Sequence, residues 1–106
     1  MATFVLLTRL TSEEANPQCN VRMKEKKVSE QVRQACPNVK WVADYAVMGP
    51  YDYLDIFKAP DTETAMKVSA MVRSIAGAHT EIWPATSWKA HDAVMRDVAE
   101  CVSRAA

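Results

Sequence analysis

The chain of 106 residues carries 13 basic and 13 acidic side chains, with 49% hydrophobic and 25% charged residues. That balance belongs to one ordinary globular domain and excludes a disordered, fibrous or strongly charged chain. With no net charge there is no global field to draw in nucleic acid or an anionic membrane surface, so neither is an expected partner.

The opening MATFVLLTRL is apolar only from Phe4 to Leu7, too short a run for the core of a secretory signal. No window reaches the length of a transmembrane helix. Cys19, Cys36 and Cys101 lie far apart with no CxxC, a pattern that suits reduced thiols. A cytoplasmic location is therefore expected.

Residues 3–9, TFVLLTR, are short, apolar and β-branched, and read as a strand. LTSEEANPQCN then breaks the pattern as a loop around Pro17. From Asn20, which can cap a helix, Val21, Val28, Val32 and Ala35 fall on one helical face, and Pro37 stops the run. The basic stretch RMKEKK at 22–27 reads as the solvated side of that helix.

NVKWVADYAVMG reads as a second strand, with Val39, Trp41, Ala43, Tyr45 and Val47 on one face and Val42, Asp44, Ala46 and Met48 on the other. Both faces are largely apolar, so both are expected to be covered. Gly49-Pro50 signals a turn, and YDYLDIFKA alternates as a third strand in an antiparallel hairpin with the second. Leu54 and Ile56 are assigned to a helix-covered face, which sends Tyr53, Asp55 and Phe57 to the open one.

PDTETAMKVSAMVRSIAG is the clearest helix. Asp61 stands at its N-cap, Glu63 in its first turn and Gly77 at its C-cap, and Ala65, Val68, Val72, Ile75 and Ala76 form a buried stripe. AHTEIWPA is a fourth strand, with Pro84 ending it or marking an edge. TSWKAHDAVMRDVAECVSR closes the chain as a helix whose stripe runs Trp88, His91, Val94, Met95, Val98, Cys101 and Val102.

The order predicts an α+β fold: a ferredoxin-like β-α-β-β-α-β sandwich with a four-stranded antiparallel sheet, plus an added C-terminal helix. Residues 1–86 form the domain, and residues 87–106 are an extension packing on the sheet or on a partner subunit.

The stretch MGPYDYLDIFKAPDTETAMKVSAMV, with TFVLLTRLT before it and HTEIWPA after it, resembles the GYD domain family, named for a glycine and a Tyr-Asp pair at the head of the third strand. Gly49, Tyr51 and Asp52, followed by Ala59-Pro60-Asp61 and a helix, carry the resemblance, which ends near residue 86. It implies a dimeric α/β-barrel type of domain, with a more distant similarity to the ligand-binding modules of Lrp-like regulators, and no general activity. Gly49, Tyr51 and Asp52 are read as a turn motif, the Asp52 carboxylate accepting backbone N–H bonds.

With Ile82 pointing to the helices, His79, Glu81 and Trp83 line the open face beside Asp55. His79 or Asp55 is then a candidate general base, and Tyr51, Tyr53, Phe57, Trp83, Trp88 and His91 are candidate ligand-binding residues around a flat organic molecule. A metal held by His79, Glu81 and Asp55 is not favoured by their spacing, and no cofactor is expected.

Three functional readings remain open. The first is a homodimeric or larger binding or interaction module, holding at most a small organic ligand. The second is a cofactor-independent enzyme of the oxygenase or isomerase type. The third is a stand-alone effector-binding regulator. No P-loop, GxSxG or HExxH chooses among them.

Overall fold

The computed structural model describes residues 1–11 and 21–105. In chain order these form β1 (Ala2–Arg9), α1 (Val21–Ala35), β2 (Lys40–Ala46), β3 (Tyr53–Ala59), α2 (Thr62–Ala76), β4 (His79–Ala85) and α3 (Trp88–Ala105). The expected loop around Pro17 and Cys19 and the expected Asn20 cap lie outside the described residues. The four strands form one sheet in the order β2-β3-β1-β4, every neighbouring pair antiparallel. This is the ferredoxin-like α+β arrangement with an added terminal helix.

Local chemistry accounts for the element ends. Asp61 accepts the backbone N–H of Thr64 at 2.7 Å, satisfying one of the orphan donors of α2. At the other end Gly77 adopts φ 66°, and its N–H donates to Arg73 O at 2.9 Å, an αL cap that a side chain would strain. Ser87 caps α3 through its Oγ, 3.1 Å from Ala90 N. Pro84 lies in β4, an edge strand, where a missing N–H leaves no central ladder bond unmade.

Strand β1 occupies the centre beside β3 because it is apolar on both faces. Leu6 pairs with Asp55 on one side and Ile82 on the other, so these three share a face. That face carries the core: Phe4, Leu6 and Phe57 of the sheet meet Val32 and Cys36 of α1's end and Ala65, Val68 and Val72 of α2. Phe57 is completely buried, with ring centroids 5.8 Å from Phe4 and 5.3 Å from Trp41. Ser69 of α2 and Thr80 of β4 satisfy each other in the interior at 2.8 Å.

The registers correct the assignment of faces. Tyr53, Asp55 and Phe57 point to the helices, with Thr8, Leu6 and Phe4 opposite them, and Leu54 and Ile56 point to the open side with Leu7 and Val5. Alternation separates the two sets but is silent on which one meets the helices. In β2 the alternation itself breaks: a bulge between Trp41 and Ala43 leaves Trp41 facing Phe57 yet puts Asp44 opposite Asp55, so both point toward the helices. The hairpin connection, residues 47–52, is also longer than a tight turn.

Helix α3 was expected to pack on the sheet or on a partner. None of its residues is buried by its own chain. An 18-residue helix is ~27 Å long, and its projection accounts for a molecule measuring 61 × 30 × 19 Å.

Because Phe57 joins both aromatic neighbours and both helices, Phe57→Ala is expected to cost about 3–5 kcal/mol, read as a fall in the urea midpoint.

Candidate functional site

The residues that sequence reasoning gathered into one chamber are divided between the two faces of the sheet. On the open face, at the β4 edge, Glu81 is the hub. One carboxylate oxygen accepts the Tyr51 phenol, and the other accepts Trp83 Nε1 at 3.3 Å. His79 Nε2 lies 3.7 Å from the first of these oxygens. His79, Glu81 and Trp83 therefore do come together, with Tyr51 as a fourth member.

Asp55 is not among them. It lies on the helix side, as do Tyr53 and Phe57, so His79 and Asp55 cannot act on one substrate from the same side of the sheet. Trp88 and His91 meet edge to face at 5.7 Å on α3, and since α3 buries nothing, the structure does not carry them over either face.

The GYD hairpin has a structural task. Asp52 Oδ2 accepts the N–H of Leu10 at 2.7 Å, Asp52 N donates to Thr8 O at 2.8 Å, and Asp52 O accepts Val47 N at 2.9 Å. One residue thus ties the hairpin to the end of β1. Gly49 has no positive φ, and a Cβ there would meet nothing within 4 Å, so the turn does not itself require glycine.

Around the open face's centre, two apolar rows cross all four strands: Tyr45, Leu54 and Leu7 in one, ending at Glu81, and Ala43, Ile56, Val5 and Trp83 in the next. Leu7 is only 5% exposed, shielded by its neighbours, whereas Tyr45 is 56% and Trp83 48% exposed at the two edges.

Beneath the other face lies a cleft of about 300 Å³. Helix α1 packs along α2, but its earlier turns stand away from β2 and β3. Glu25, Ser29 and Arg33 of α1 face Trp41 and Asp44 of β2 and Tyr53 and Asp55 of β3 across the gap, with Leu6, Val28 and Val72 among its apolar walls. The Arg33 guanidinium stands 5.2 Å from the centre of the Trp41 ring and 3.8 Å from Asp44 Oδ2. Tyr53 donates its hydroxyl to Glu25, and burial together with that carboxylate pushes the phenol's pKa up.

Asp55 carries the larger consequence. Burial, then the hydrogen bond and negative charge of Asp44, push its carboxyl up to about 7, and Arg33 only partly opposes them. Two carboxylates side by side hold one proton in preference to ionising together. Glu25, Arg33 and Asp44 were not picked out by sequence reasoning; the isolated aspartate inside an otherwise apolar β2 was a signal for one of them.

Among the described residues no group of three His, Cys, Asp or Glu side chains could hold a metal ion, and no helix is long and apolar enough to cross a membrane.

The GYD domain family matches residues 4–95. The chain belongs to that family. The match runs beyond residue 86 into the first turns of α3. A Thermus thermophilus protein described as "Glutamine synthetase and cystathionine beta-lyase binding protein" is 33% identical over 67 residues, 63% of this chain and 70% of the relative. The crystal structure of FFRP-DM1 superposes with a TM-score of 0.51 at 22% identity, covering 81% of this chain and 100% of the other, which supports the fold alone.

The Asp44–Asp55 pair makes this GYD domain's stability depend on pH. The folded-state carboxyl of Asp55 titrates above its unfolded value of 3.8, so its contribution is fully present below about pH 4 and is lost as pH rises through about 7. Asp55→Asn removes that loss. The variant is expected to gain on the order of 1 kcal/mol over the parent at about pH 8, with the gap narrowing toward about pH 5, by urea titration at both.

Proposed function

We propose that this chain is a self-assembling protein-binding module in which the open sheet face of one subunit is covered by a second copy, with α3 laid against that copy. The observation that carries this reading is the pair of uncovered apolar surfaces. Two apolar rows run across the sheet, and Trp88, Val94, Met95, Val98 and Val102 stand exposed along one helix.

Size and energetics support a second copy as occupant. Four strands about 4.8 Å apart and ~24 Å long present a footprint of about 450 Å². A ~27 Å helix adds a strip about 10 Å wide. Together these approach the ~800 Å² per partner of a standard interface. Helix α3 has a separate need, since a lone helix of this length is marginal in water until its apolar face is packed.

The polar cluster of His79, Glu81, Tyr51 and Trp83 suits a rim. Its carboxylate oxygens already have donors, as polar groups beside a buried contact require. What the assembled module binds is a further protein. The description of the Thermus thermophilus relative supports enzymes as its clients.

Native mass spectrometry is expected to give a dimer or a larger closed assembly at micromolar concentration. Ile56→Asp, in the centre of the open face, and the more exposed Tyr45→Asp should both shift it to monomer; a monodisperse parent monomer would sink the reading. Removing residues 87–106 should weaken assembly while leaving the unfolding midpoint of dilute monomer almost unchanged, because α3 buries no residue in its own chain. Titration with purified glutamine synthetase tests the client class, saturable binding supporting it and its absence removing that enzyme.

A further inference from the structure

Helix α3 has an apolar face that its own chain leaves in water, and that face has a period. Trp88, His91, Met95, Val98, Val102 and Ala105 follow one another at alternating steps of three and four residues along the helix. The row is open from end to end, with Trp88 85% exposed and Val102 64%. Alternating steps of three and four lay one seam along a helix at a mean spacing of ~3.5 residues, the period at which two helices stay in contact over their length.

Charge and area narrow the choice of occupant. Lys89, Arg96 and Arg104 balance Asp92, Asp97 and Glu100, so α3 lacks the basic excess that would hold it on an anionic lipid surface. None of the six lies in the seam, and Asp92 beside it is already paired with Arg96 of its own helix at 2.8 Å. A second α3 therefore meets no like charge across the seam. The open sheet face supplies only about 450 Å² of the ~800 Å² per partner of a standard interface, and a strip ~27 Å long on the same copy brings most of the remainder.

Orientation follows from side-chain size and from the backbone. In an antiparallel pair Trp88 stands opposite Ala105, the largest residue of the row against the smallest, and Met95 stands opposite Val98. In a parallel pair Trp88 would meet Trp88 and His91 would meet His91, two titratable rings in one apolar layer, and the helix dipoles would lie side by side in the same sense.

We propose that α3 packs against α3 of the second copy as an antiparallel pair, Trp88 over the copy's Ala105, His91 opposite its Val102 and Met95 opposite its Val98. This pairing rests on the assembly proposed above and identifies what α3 meets there. Val94 and Cys101, both exposed, widen the apolar strip along one side of the seam, and that side is turned to the paired sheets.

The test is a distance measurement by pulsed electron–electron double resonance. Cys19 and Cys101 are replaced by serine, buried Cys36 is left in place, and one nitroxide is attached at Lys89→Cys, Arg96→Cys or Ser103→Cys, all on the exposed polar side of α3. In the antiparallel pair the two labels are offset along the axis by about 1.5 Å at position 96, about 22 Å at 89 and about 20 Å at 103. The distance is therefore expected to be shortest at 96 and longer by about 10 Å at both 89 and 103. Val98→Asp, a change inside the seam, should erase the short distance at 96 while leaving the domain folded, because α3 buries no residue in its own chain.

Equal distances at the three sites mean a parallel pair and overturn the proposal. A distance above about 35 Å at position 96 overturns it as well, since helices in contact have axes only about 8–10 Å apart. A short distance that survives Val98→Asp also overturns it. Native mass spectrometry of the same samples separates the two readings: a dimer without the minimum at 96 removes the helix pair and leaves the assembly standing, whereas a monomer removes both. A minimum that persists in Ile56→Asp keeps the helix pair and removes the sheet contact alone.

Discussion

Everything in this molecule depends on the register of its central strand. β1 is hydrogen-bonded on both sides, and Asp52 pins one end of its pairing with β3 by accepting Leu10 N–H and donating to Thr8 O. Those bonds put Thr8 opposite Tyr53 and Leu6 opposite Asp55. A slip of one residue would exchange the two faces of β1 relative to its neighbours, sending Phe4 and Leu6 away from the helices. The Tyr-Asp pair thus acts first through the backbone. Its aspartate locks the sheet, and its tyrosine reaches across β1 to Glu81 on β4.

From that register follow two surfaces of different character. The helix side is a packed core at its centre, around Phe57 and Val68, and opens into a cleft where α1 leaves the sheet. Polar groups tolerated there are paired with each other: Tyr53 with Glu25, Arg33 with Asp44, Asp44 with Asp55. The opposite side has aliphatic and aromatic residues in its centre and its hydrogen-bonded polar groups at the β4 edge, the distribution found where protein surfaces meet. Both surfaces belong to a domain too small to leave much apolar area in water without cost.

The order of elements was legible from local pattern, and most of the caps with it. Asp61 and Gly77 could be placed because capping is a short-range matter of side-chain oxygen and backbone φ. The union of His79, Glu81 and Trp83 was also legible, since alternation along one strand needs no knowledge of the rest. Placing Asp55 beside them failed for a definite reason. Tyr53, Asp55 and Phe57 were sorted from Leu54 and Ile56 correctly, but both sets are apolar enough to face a helix, and the more polar set is the one that does. In β2 the bulge after Trp41 changed the phase of the pattern partway through, which composition does not reveal.

By itself the sequence determined the alternation of strands and helices, the caps, the family and the presence of two apolar faces, because each of these rests on interactions a few residues long or on a motif read in line. Only the tertiary structure decided which face the helices cover, that Asp55 meets Asp44 and not His79, and that α3 stands clear of its own sheet. Those outcomes follow from pairing between strands distant in the chain, where one hydrogen-bonded register determines the orientation of every side chain at once.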